Sequence, residues 1–114
     1  MSRLSLVVVA ALLAITTVAL ALDSMGRTGR IHALEVNHST ADTYLQYHGR
    51  VTVDNGVAKD TYSWGGTSCS NKILSDSKVS MLQQAMDSGA TIEPRFQAGQ
   101  GSNRCLVGFV IVAP

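Results

Sequence analysis

The chain has 114 residues, nine basic and eight acidic side chains, and a formal net charge of +1. So even a balance excludes the basic face of a nucleic-acid binder and offers no acidic tail. The length excludes a second domain, and no internal repeat or low-complexity tract is present.

The N-terminus sets the compartment. Met1-Ser2-Arg3 is a short basic start, and no charged residue occurs from Leu4 to Leu22. Ala19-Leu20-Ala21 then supplies small residues where a signal peptidase reads them. Residues 1–21 are therefore expected to be a cleaved secretory signal. The alternative is a retained membrane anchor, since a run of this length just reaches the roughly 20 residues that span a hydrocarbon core. Contact with a membrane is expected only through residues 4–22, and only if they are retained. Arg3 is the only charged residue in the segment, so the remainder carries eight basic and eight acidic groups.

Residues 22–30 mix Gly, Ser, Thr and charge and read as a linker, leaving residues 31–114 as one small domain. Ile31 to Val36 is a first short strand. Asn37-His38-Ser39 matches the N-glycosylation triplet, a pattern short enough to recur by chance. Leu45, Tyr47, Gly49, Val51 and Val53 alternate with polar residues, the period of a half-buried strand. Asn55-Gly56 turns the chain into a returning strand, Val57 to Trp64. A two-residue turn would set Tyr47 opposite Trp64; a three-residue loop would set Arg50 opposite Asp60.

A helix is expected from Asp76 to Ser88. Ser75 caps it, Asp76 places negative charge in its first turn, Leu74 packs on Val79, and Gly89 ends it in a left-handed conformation. Val79, Leu82 and Met86 form its buried stripe, with Ala85 beside it. Ile92 to Ala98 is a strand in which Pro94 implies an edge position. Cys105 to Val112 is apolar except for Gly108 and reads as a buried central strand. Together these predict an α+β domain, a mainly antiparallel sheet with one helix packed on one face.

Cys69 and Cys105 are the two cysteines of the chain, and in an oxidising compartment they are expected to bridge. Closing a loop of about 37 residues contributes roughly 4 kcal/mol in the chain-entropy model. Two cysteines so far apart do not make a metal site, and no metal or other cofactor is called for. His32, His38 and His48 show no zinc-ligand spacing and read as surface or sheet histidines. Ser68 and Ser70 flank Cys69, but neither sits in a G-x-S-x-G elbow, and a bridged Cys69 is no nucleophile. No catalytic residue is assigned, and the reading leans away from an enzyme.

One region stands out. Tyr62 to Ser68 leads into Cys69, and Gly99 to Arg104 leads into Cys105. A disulfide brings its Cα atoms within about 7 Å, so these two Gly-rich segments must converge. Tyr62, Trp64, Gln100, Asn103 and Arg104 become the candidate binding residues, since aromatic faces, amides and a guanidinium suit recognition of a protein, peptide or glycan. The expected function is that of a small exported binding or inhibitory module, secreted or periplasmic. A membrane-anchored accessory subunit and, less favoured, a small hydrolase are the alternatives.

Overall fold

A computed structural model describes residues 22–114. The signal or anchor expected at residues 1–21 lies outside the described residues. The chain forms β1 (Ser24–Met25), β2 (Gly29–Val36), a 3-10 turn (Asp42–Leu45), β3 (Gly49–Asp54), β4 (Lys59–Trp64), α1 (Asp76–Ser88), β5 (Thr91–Ala98) and β6 (Arg104–Val112). Among these residues no helix is long and apolar enough to cross a membrane.

Strands β2 to β6 close the mainly antiparallel sheet expected from the sequence into a small five-stranded barrel. β2, β3 and β4 form an antiparallel meander, and β6 pairs antiparallel with β5. Two seams complete the circle. β4 meets β6 in parallel where Ser63 lies opposite Cys105, and β5 returns to β2 through Gly29 opposite Ile92. Hairpin cues are local, whereas both seams join segments far apart in the chain, so the pattern of apolar residues did not reveal them.

Residues 22–30, expected as a linker, belong to the barrel. Ser24 and Met25 pair with Phe96 and Arg95, and the side-chain amide of Gln97 donates to Asp23 at 2.6 Å. This also corrects the position of Pro94. It lies on a strand with neighbours on both sides, opposite the break between β1 and β2, where Gly26 N–H donates to the Pro94 carbonyl at 2.8 Å. The missing proline N–H falls where the neighbouring strand is interrupted.

The β3–β4 connection follows neither expected register. Asp54 faces Lys59, Arg50 faces Ser63, and Gly49 faces Trp64. The loop has four residues because side chains cap it. Asp54 Oδ1 accepts from Gly56 N–H, and Asn55 Oδ1 accepts from the N–H groups of Val57 and Ala58, each at 2.9 Å. Strand β3 also starts later than expected. Thr43 O accepts from the N–H groups of Gln46 and Tyr47, which holds the preceding segment in a turn and leaves Leu45 exposed.

Helix α1 has the expected bounds. Ser75 Oγ accepts from Lys78 N–H at 3.3 Å, and Gly89 ends the helix at φ 72°. Leu82 and Ala85 are buried, and α1 packs against β2 and β5. The core gathers these residues with Ile31, Val51, Val53, Tyr62, Trp64, Ile92 and Leu106. Strand β6 is only half the buried strand expected. Cys105 and Leu106 are buried, while Val110, Ile111 and Val112 are exposed. Beyond Cys105 its only strand partner among the described residues is β5.

Candidate binding groove

The Cys69–Cys105 disulfide is present, with both residues fully buried and their Cα atoms 5.6 Å apart. It sits beside the β4–β6 seam. The Gly-rich segments converge there: Gln100 N–H donates to the Ser68 carbonyl at 2.9 Å, and Gly99 is packed against Cys105 Sγ. The β5–β6 loop is closed on itself, with Asn103 donating through Nδ2 to the Gln100 carbonyl at 2.8 Å. Gln100 and Asn103 are exposed on this loop.

Alternation along β4 puts Asp60, Tyr62 and Trp64 on one side of the strand. Asp60 stands at a mouth of the barrel, where the start of β6 brings Arg104 alongside. Arg104 Nη1 and Asp60 Oδ1 are 3.5 Å apart. The guanidinium carbon lies 5.7 Å from the Tyr62 ring centre and 5.9 Å from that of Phe96, close enough for cation–π attraction. The two rings are themselves tilted against each other at 5.4 Å. Met25, Gly26 and Arg27, from the passage between β1 and β2, complete a groove of about 380 Å³ with Ala58, Asp60, Tyr62, Phe96 and Arg104. A volume of this order suits a small ligand or a single side chain.

Tyr62 has no exposed surface. Its hydroxyl is the one buried side-chain polar atom without a hydrogen-bond partner among the described residues. Gly26 lies so close over this hydroxyl that a Cβ there would collide with it and with Pro94, which makes glycine a requirement at that position. Burial pushes the Tyr62 pKa up, and the Asp60 charge adds to this, against the opposing influence of Arg104.

Tyr62 and Arg104 therefore come together at the groove, Gln100 and Asn103 lie outside its lining, and Trp64 is elsewhere. Trp64 is 2 % exposed and belongs to the core, where a Cβ on Gly49 would strike its indole. It lines a different cavity of about 310 Å³, with Tyr44, His48, Asn37 and Asp76 among its neighbours. His48 stacks on Tyr44 at 4.0 Å, and among the described residues no hydrogen bond joins it to Ser68 or Ser70. No group of three or more His, Cys, Asp or Glu among the described residues is placed to hold a metal.

Arg27, Asp60 and Phe96 are groove residues that sequence reasoning did not select. Arg27 was hidden in a segment read as linker. One of the two hairpin registers left open by the sequence sets Asp60 opposite Arg50, which instead binds Glu35 at 3.1 Å on the outer surface. Phe96 carried a signal, since it alternates with polar neighbours on β5, but alternation alone does not say which end of a barrel a side chain reaches. Comparison of the chain with protein-family models, with curated proteins and with solved structures finds no match.

Proposed function

We propose that the chain is a small exported binding module that recognises a partner protein, peptide or glycan at the barrel mouth formed by Arg104, Asp60 and Tyr62, with the Gly99–Asn103 loop at its rim. The observation that carries this reading is the assembly of those side chains around one groove, beside two Gly-rich segments joined by a buried disulfide. A disulfide suits an oxidising, extracytoplasmic compartment, in line with the apolar N-terminal segment.

The plan of the fold gives further support, by analogy only. With β2 to β6 counted as strands one to five, the third and fifth meet in parallel and the helix precedes the fourth, which is the arrangement of OB-type barrels. Those use the loops between strands one and two and between strands four and five to bind oligonucleotides and oligosaccharides. The second of these corresponds to the Gly99–Asn103 loop. A net charge of +1 weighs against a nucleic acid as the ligand and favours a peptide or glycan.

The test is affinity capture and glycan-array binding with the full chain, run beside Arg104→Ala and the double variant Gln100→Ala/Asn103→Ala. Loss of the bound partner in Arg104→Ala, with an unchanged melting temperature, supports the reading. An identical set of partners for all three proteins overturns it.

A further inference from the structure

The groove has a narrower chemistry than a general contact surface. Arg27, Arg104 and Asp60 line it, giving a local charge sum of +1. Arg104 is engaged by Asp60, while Arg27 makes no ion pair among the described residues. Met25 and Phe96 supply an apolar wall, with the buried Tyr62 ring packed behind it.

Taking the barrel mouth as the recognition surface, we propose that the groove binds a small ligand bearing one carboxylate beside an apolar ring, with the carboxylate held between Arg27 and Arg104 and the ring against Phe96 and Met25. A guanidinium fork matches the flat, two-oxygen geometry of a carboxylate. Asp60 leaves only one net positive charge, so a doubly charged phosphate is disfavoured. A wholly apolar ligand makes no use of either guanidinium, and a bare inorganic anion makes no use of the aromatic wall.

The experiment follows backbone amide shifts of isotopically labelled protein by NMR during titration with benzoate, and separately with benzyl alcohol, acetate and inorganic phosphate. Benzoate is expected to move the amides of Gly26, Arg27, Tyr62 and Arg104, with each of the other three probes binding at least about tenfold more weakly. Arg27→Gln and Arg104→Gln should each weaken benzoate about tenfold, the loss of one charge-assisted contact. Tyr62→Phe, which removes only a hydroxyl buried beneath Gly26, should leave the benzoate affinity unchanged. Equal shifts from benzoate and benzyl alcohol, or parental benzoate affinity in both arginine variants, overturns the assignment. Failure of benzoate with Arg104-dependent partner capture intact removes the carboxylate and leaves the recognition surface standing. Benzoate binding with partner capture indifferent to Arg104→Ala supports the carboxylate site and removes the wider reading.

Discussion

Arg104 at the start of β6 reaches Asp60 near the start of β4 across the parallel seam of the barrel, at 3.5 Å. The arginine side chain is 44 % exposed and the aspartate 20 %, so water and salt screen the pair. Exposed pairs of this kind contribute roughly 0–1 kcal/mol. Arg104→Ala should therefore lower stability by less than about 1 kcal/mol while weakening partner binding by about 1–3 kcal/mol. Thermal melts and a partner titration on the same samples check both halves. A large fall in melting temperature would show that Arg104 holds the seam rather than the ligand.

The seam has a stronger tie in the disulfide. Cys105→Ser should cost about 2–5 kcal/mol, the usual loss for a bridge in a small secreted domain. Two effects combine. The unfolded chain regains the freedom of a loop spanning 36 positions, and a hydroxyl replaces sulfur at a fully buried site. Urea unfolding of the oxidised parent and the variant measures the difference. Equal midpoints would mean that strand pairing alone closes the barrel.

On the outer surface, Tyr47 donates through its hydroxyl to one Glu35 oxygen at 2.6 Å, and Arg50 Nε donates to the other at 3.1 Å. The Tyr47 bond lowers the Glu35 pKa most; partial desolvation acts against it, and the Arg50 charge lowers it further. A carboxylate with a depressed folded-state pKa contributes stability that is fully present above its unfolded value. That contribution is lost as the pH falls from the ordinary Glu value of about 4.3 through the folded value. Glu35→Gln should flatten the acid limb of the melting-temperature profile and leave the profile from about pH 6 to 8 level. An acid limb as steep as the parent's would assign the acid sensitivity to other carboxylates.

Local chemistry was legible in the sequence wherever neighbouring residues decide the structure. Ser75 and Gly89 bound α1 because a hydroxyl cap and a left-handed glycine act within one turn. The Cys69–Cys105 bridge followed from an even cysteine count and an export-like N-terminus. The loop after β3 was misjudged because Asp54 and Asn55 cap it with their side chains, an outcome that the Asn-Gly pair alone does not specify. Barrel closure was hidden for a different reason. A strand such as β6, apolar almost throughout, is compatible with burial on both faces, yet its second half lies beyond the seam and is exposed. At the site, Arg104 and Tyr62 could be selected because the bridge pulls their segments together. Arg27 could not, since only the pairing of β1 with β5 brings it to the groove.

Trp64 separates scaffold from site. Its indole is 2 % exposed, packed beneath Gly49 within the core cluster, and it lies outside the lining of the Arg104 groove. Truncating a buried tryptophan removes its transfer free energy and leaves a cavity, together about 3–5 kcal/mol. Trp64→Ala should therefore lower the melting temperature sharply, by about 10 °C or more for a domain of this size. Trp64→Phe, which keeps an aromatic ring, should lose less. At a temperature where Trp64→Phe remains folded, its partner affinity should equal the parent's, because no contact in the groove has changed. Calorimetry and a binding titration on the two variants provide the check. A Trp64→Phe protein with a parental melting temperature and lost binding would place Trp64 in the recognition surface and move the site to the cavity that it shares with Tyr44 and His48.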